Sequence, residues 1–300
     1  MPRLNGPAAG ASATAAIGIT AVVVLTATAV PIVPTVASLR SAPLVVNTPQ
    51  PNAAQNPPML RPGRKPGELP RIAFYGDSVS WSLGFYMPSY TDQLEVAVDS
   101  LEGCGIARLP EIRVKDMPQT NYDWCPTWDK NWQYRIDTTD PDVAVLLLAR
   151  WELMDRKLGG RFQHVGEPAF DRYLRQELDL ALDILLSRGA HVVILTAPYN
   201  KRYERPNGEL YDEDLPERVD AWNKMLHEAA AEHDERTTVI DLNRRVCPDG
   251  EFTYTIDRIR IRSDGLHFSP TGVRQWIAPW LMPQLARIAT GAIYAVDRGD

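Results

Sequence analysis

Two unbroken apolar runs, residues 142–148 (DVAVLLL) and 191–196 (HVVILT), constrain this chain more than any other feature. A strand with water on one face alternates apolar and polar residues. An unbroken run of this length implies cover on both faces, as in a parallel sheet between layers of helices. The segment between the runs supports that reading. Residues 167–188 place Phe170, Tyr173, Leu174, Leu178, Ala181, Leu182 and Leu185 at helical spacing, and Gly189 stands where such a helix stops. Further strands are expected at 71–75, 95–98 and 238–242. Further helices are expected at 215–232 and 270–288, the last beginning after Ser269, a good N-cap, with Pro270 in its first turn. The alternation predicts one α/β domain over residues 71–300 with a mostly parallel sheet. Such sheets carry their sites beyond the carboxyl ends of the strands, here the loops starting near Gly76, Gly103, Ala149 and Ala197.

The chain ahead of residue 71 has a different character. No charged residue lies between Arg3 and Arg40, and residues 15–37 are dominated by Ala, Ile, Val, Leu and Thr. About 20 apolar residues cross a bilayer as a helix, so residues 1–42 are expected to form a membrane anchor. Ala27-Thr28-Ala29 after an apolar core is also a cleavage-site pattern, which keeps a removed signal segment as the alternative. Residues 43–70 are rich in proline and lack periodicity, the composition of a semi-extended tether. The domain is therefore expected outside the cytoplasm, anchored to the membrane or secreted.

The 32 Lys+Arg against 38 Asp+Glu give a net charge of −6, without the basic balance of a nucleic-acid binder. The 3 cysteines and 5 histidines show no metal-ligand spacing, and no metal or other cofactor is expected. Cys104 and Cys125 flank a long loop after the second strand, where a disulfide fits an oxidising compartment; Cys247 is then free, or paired instead.

Two short motifs carry chemistry. Gly76-Asp77-Ser78 follows the first strand, and a serine hydroxyl becomes a nucleophile once a base takes its proton. Asp264-Gly265-Leu266-His267 precedes the last helix. An Asp three residues before a His can reach the ring's Nδ1, which fixes the tautomer and turns Nε2 toward a serine. Asp77 is expected to anchor its loop rather than to react.

With these motifs in this order, residues 71–290 resemble the SGNH (GDSL-type) hydrolases: Gly76-Asp77-Ser78 matches the nucleophile block and Asp264-Gly-Leu-His267-Phe-Ser-Pro the Asp/His block. The resemblance implies a flavodoxin-like three-layer α/β/α fold, attack by Ser78 on an acyl carbonyl, proton transfer by His267 oriented by Asp264, and an oxyanion hole from the Ser78 and Gly105 backbone N–H groups. One block departs. Where the family has Gly-x-Asn-Asp, this chain has Leu148-Ala149-Arg150-Trp151-Glu152, without the Asn that supplies a third oxyanion donor. Arg150 and the Trp151 indole are the candidates to replace it, or to touch substrate. This Trp-Glu version, the apolar amino-terminal run and the Pro-rich tether look like the SGNH domain fused to acyltransferase-3 membrane proteins, which modify envelope sugars with acyl groups. That likeness implies an acylated glycan, or another ester, as substrate and a membrane acyl-donor protein as partner.

Tyr122, Trp124, Trp128 and Trp132 crowd one loop. Trp124 and Trp128 are candidates for a sugar-binding wall, with core packing taking at least two of the four. Arg258, Arg260 and Arg262 alternate and would share one face of a strand; they, with Lys201, Arg202 and Arg205, read as a solvated edge or as contacts for an anionic polymer. The competing functions are a lipase or general esterase, and a non-catalytic glycan-binding domain.

Overall fold

The structure is a computed structural model that describes residues 68–88, 94–233 and 235–291. The expected anchor, residues 1–42 with the apolar run 15–37, and the tether up to residue 67 lie outside the described residues. No helix among the described residues is long and apolar enough to cross a membrane.

The core is a five-stranded parallel sheet. It comprises β1 (Arg71–Gly76), β2 (Glu95–Val98), β5 (Val143–Leu147), β8 (His191–Leu195) and β9 (Thr237–Ile240), in the order β2-β1-β5-β8-β9. Counted over these strands alone, the order is 2-1-3-4-5, the flavodoxin-like doubly wound arrangement. Every residue of β5 and β8 is buried, as their unbroken apolar runs require. Each Leu, Ile or Val so buried contributes about 1.5–3 kcal/mol. On one side, α2 (Trp128–Thr139) packs on α3 (Pro168–Leu186), and α3 on α4 (Pro216–Glu232). On the other lie α1 (Ser78–Tyr86) and the carboxyl-terminal helix, whose α7 portion (Ala278–Ala289) meets β1 and β5. Ser269 caps that helix, accepting from Gly272 N–H. A three-residue turn, α6 (Pro270–Gly272), then passes into π geometry over Val273–Ile277 before α7.

Several elements differ from expectation. Helix α1 starts directly at Ser78, although SVSWSLGFY is poor in strong helix formers. Packing on β1 and β2 and the Asp77 side chain, which accepts from Val79 N–H at 2.8 Å, hold it. The aromatic segment expected as loop contains α2, which buries Trp128, Trp132 and Ile136, four residues apart. A second, antiparallel sheet grows from the loops after β2 and β5. Its strands are β3 (Glu111–Val114), β4 (Met117–Thr120), β6 (Arg156–Leu158) and β7 (Arg161–Gln163), in the order β4-β3-β6-β7. Its hairpins turn on Lys115-Asp116 and Gly159-Gly160, all with positive φ. After β9, the short α5 (Leu242–Val246) and the hairpin β10 (Thr255–Ile256) and β11 (Ile259–Arg260) precede the final helix. The hairpin turns at Asp257-Arg258, also with positive φ. Arg258, Arg260 and Arg262 therefore do not share a face: the first two are exposed and Arg262 is buried, its guanidinium 4.1 Å from the Phe268 ring centroid.

Candidate active site

Parallel strands put their following loops at one end of the sheet, and the two sequence motifs meet there. His267 Nε2 lies 2.9 Å from Ser78 Oγ, and His267 Nδ1 lies 2.8 Å from Asp264 Oδ2. The loop is built to hold this line. Asp264 Oδ1 accepts from the backbone N–H groups of Leu266 and His267. An isolated antiparallel bridge between Arg262 and Phe268 closes its base. Phe268 N–H then donates to Ser82 Oγ at 3.1 Å, fastening the histidine loop to the helix that begins with Ser78. Arg202, from the loop after β8, forms an ion pair with the Asp264 carboxylate. Burial and then the Arg202 charge hold the His267 imidazole below its ordinary pKa. A neutral imidazole at neutral pH, with Nδ1 tied to a carboxylate, can take a hydroxyl proton at Nε2.

Beneath Ser78 lie two buried carboxylates. Asp77 fastens the loop after β1 to the loop after β5: Oδ1 accepts from Val79 N–H, and Oδ2 from Ala149 and Arg150 N–H at 3.2 Å each. It is the anchor expected from sequence, and burial raises its pKa. Glu152 accepts from Ile106 N–H at 2.8 Å, and burial, followed by repulsion from Asp77, pushes it up to about 7. Glu152 also accounts for Gly105: a Cβ there would lie 1.8 Å from Glu152 Oε1. Close approach requires this glycine, because any side chain would displace the carboxylate that positions Ile106. Gly105 and Ser78, at the start of α1, follow the adjacent parallel strands β2 and β1.

The remaining candidates separate. Cys104 and Cys125 are joined by a disulfide, which fixes the loop carrying Gly105; Cys247 is a buried free thiol. Trp124 is exposed and stacks on exposed Tyr122 with centroids 4.4 Å apart, and Tyr122 lies against Gly103. Trp128 is not a substrate contact. It is 1% exposed, opening α2 with its ring 5.0 Å from Trp132. Arg150 does not face substrate either. It is 4% exposed, with one guanidinium nitrogen on Asp214 at 2.5 Å and another on Glu213 at 3.0 Å. Such a buried pair needs both partners to offset desolvation, so the guanidinium is not a spare oxyanion donor. Trp151 remains beside the site, half-buried, its Cβ 2.8 Å from where a Gly105 Cβ would sit and its ring 6.5 Å from Tyr122. Lys201 pairs with Glu204, and Arg205 with Asp212 and with Asp116 of the β3–β4 turn, so both cations have carboxylate partners. Sequence reasoning named Glu152 in the departing block and Arg202 as an edge or polymer contact, but missed that Glu152 holds Ile106 N–H and that Arg202 pairs with Asp264. No cluster of potential metal ligands occurs among the described residues.

Comparison with known proteins gives one strong match and several weak ones. The model of the family described as "SGNH domain (fused to AT3 domains)" matches residues 47–281. No curated protein matches. Among solved structures, a GDSL-like lipase from Bacteroides thetaiotaomicron is similar at 10% identity, covering 73% of this chain and 88% of its own, with a TM-score of 0.45. A carbohydrate esterase of family 3 from Talaromyces cellulolyticus is similar at 12% identity, covering 75% and 99%, with a TM-score of 0.44.

Proposed function

The chain belongs to the SGNH family, in the group described as fused to AT3 domains, and from that premise we propose that it is an extracytoplasmic enzyme acting on O-acyl groups of envelope glycans. The class, an SGNH-type serine esterase, comes with the family. The observation that carries the assignment of residues is the continuous line Asp264 Oδ2–His267–Ser78 Oγ, with contacts of 2.8 and 2.9 Å. Ser78 Oγ attacks the ester carbonyl carbon as its proton passes to His267 Nε2. The carbonyl oxygen gains negative charge facing the Ser78 and Gly105 N–H groups, and Asp264 stabilises the imidazolium. Collapse of the tetrahedral adduct expels the sugar oxygen, which takes the proton from His267, and leaves acyl-Ser78. In the second half, water or a sugar hydroxyl gives its proton to His267 and attacks the acyl carbon. Release of free acid, or of a newly acylated sugar, restores Ser78.

The glycan reading is supported by the exposed Tyr122–Trp124 stack beside Gly103, a flat apolar surface of the kind that receives a sugar ring. The amino-terminal residues 1–42, as anchor or signal, and the tether to residue 70 would keep residues 71–300 at the envelope. The test is turnover of O-acylated oligosaccharides beside labelling by a fluorophosphonate. Both are expected in the native protein and absent in Ser78→Ala. Asp264→Asn should lower kcat by about 10⁴, the cost of the wrong tautomer. Turnover retained in Ser78→Ala would reject the mechanism. Partitioning between free acid and acylated acceptor, read in the same reaction, separates hydrolysis from transfer.

A further inference from the structure

The Gly105 N–H can stabilise an oxyanion only if its peptide is held in one direction, and a glycine has no side chain to hold it. The restraint comes from outside. On the amino side, Cys104 is tied to Cys125. On the carboxyl side, Ile106 N–H donates to Glu152 Oε1 at 2.8 Å. Further along the same loop, Tyr173 Oη of α3 accepts from Arg108 and Leu109 N–H at 2.7 and 3.2 Å. Arg156 of β6 donates to Leu109 O and to Trp151 O, joining the loops after β2 and β5. Glu152 acts on Gly105 itself. Ile106 N belongs to the peptide unit that leaves Gly105, and a Cβ on Gly105 would lie 1.8 Å from Glu152 Oε1.

The charge on Glu152 makes this hold adjustable. Glu152 is 0% exposed, and its Oε2 has no hydrogen-bond partner among the described residues. Two charged groups face it. Asp77, from the loop after β1, repels the ionised form, and Arg156, from β6, favours it. Asp77 itself accepts from Val79, Ala149 and Arg150 N–H. Three such donors keep the negative charge on Asp77. Of these two neighbouring carboxyls, Glu152 is the one that takes a proton. Burial, followed by repulsion from Asp77, places that event at about 7. A charged acceptor holds an N–H roughly twice as strongly as a neutral one, so protonation loosens the grip on Ile106 while the surrounding contacts persist.

We propose that Glu152 is a positioning residue of the acyl chemistry: as a carboxylate it locks the peptide leaving Gly105 and so aims the Gly105 N–H at the developing oxyanion, and on protonation it lets that donor drift. The inference rests on the serine-esterase reading above, because an oxyanion must form for the donor to matter. It adds a second ionisation on the acid side of turnover, separate from that of His267. His267 must lose its proton to act as a base, and Glu152 must lose its proton to hold the donor. The effect belongs to the transition state. A ground-state ester carbonyl carries little charge, so the Gly105 donor raises kcat and leaves KM nearly unchanged.

The experiment is the pH dependence of kcat and KM for an aryl acetate, measured on the full chain in its native form and as Glu152→Gln and Glu152→Ala, with a melting curve for each. In the native protein kcat should fall in two steps on the acid side. The upper step should lie near pH 7 and be about tenfold in size, with KM constant through it; the lower step belongs to His267. Glu152→Gln keeps an amide oxygen that can accept from Ile106 N–H. It should lose the upper step and run about tenfold below the native plateau, roughly half the logarithmic cost of one oxyanion donor. Glu152→Ala has no acceptor and should lose about 10² in kcat. A native kcat profile with a single acid-side step, or an upper step retained in Glu152→Gln, overturns the proposal and leaves the esterase reading intact. So does a loss carried by KM, which would mark a substrate contact. Because the native profile alone can overturn it, the test survives a variant that fails to fold. A native protein that turns over no aryl ester and leaves Ser78 unlabelled by a fluorophosphonate rejects the esterase reading, and the proposal with it.

Discussion

Asp264 is shared between His267 and Arg202, which places a second charge beside the imidazole. An aspartate alone beside His267 would favour imidazolium. Burial, and after it the Arg202 charge on the same carboxylate, hold the imidazole below its ordinary pKa. Arg150 pushes the same way, while Asp77 and Glu102 oppose. His267 must be neutral to accept the Ser78 proton, so a lowered pKa extends activity toward acid. Removing Arg202 has the opposite sign. In Arg202→Gln the acid limb of kcat/KM should move to higher pH, and Arg202→Lys should restore it in part. An acid limb that stays in place in Arg202→Gln would show that the Arg202 charge does not reach the base. At this scale the sequence exposed Ser78, Asp264 and His267, because the motifs are contiguous and lie at element boundaries. It named Arg202 and Glu152 without showing what they pair with, since charged residues in loops become informative only when folding supplies their partners.

Among elements, the loop after β2 is held by a covalent link. It carries Gly105, and the Cys104–Cys125 disulfide closes it over a separation of 21 residues. Closing a loop of that size restrains the unfolded chain by about 3 kcal/mol. The double variant Cys104→Ser/Cys125→Ser should lose stability of that order in urea unfolding. It should also turn over an aryl ester more slowly, by less than the roughly 10²–10³ that loss of one oxyanion donor costs, because the Gly105 N–H remains but is less firmly held. Unchanged stability and turnover would show that Glu152 and the packing around Ile106 suffice. Element types followed from pattern where burial was two-sided or amphipathic: β5, β8, α3 and α4 lie within two residues of expectation. The pattern failed for α2, where Trp124 continues the spacing of Trp128 and Trp132 beyond the helix, and for α1, whose composition argues against the state that packing imposes. The Gly159-Gly160 hairpin had a legible turn signal between strands of three residues each, too short for alternation to register.

Over the whole molecule, the described core is self-contained from Arg71 to Ala289: every strand of the parallel sheet and both helical layers lie within it. A fragment of residues 68–300 is therefore expected to unfold cooperatively and to keep the aryl-esterase activity of the full chain. Its activity at membranes should fall if residues 1–67 tether it there. A fragment that expresses only as aggregate would show that residues before 68 contribute to the fold. Legible along the chain alone are the doubly wound architecture and the Ser78, Asp264 and His267 motifs. Two-sided burial leaves unbroken apolar runs, and Asp264 and His267 need only local chain to meet. The surroundings of these residues come only with folding. Arg202 on Asp264, Glu152 beneath Gly105, and Arg150 withdrawn to Glu213 and Asp214 all depend on residues distant in sequence. Coulomb and desolvation energies depend on distance and burial in space, and no spacing along the chain encodes them.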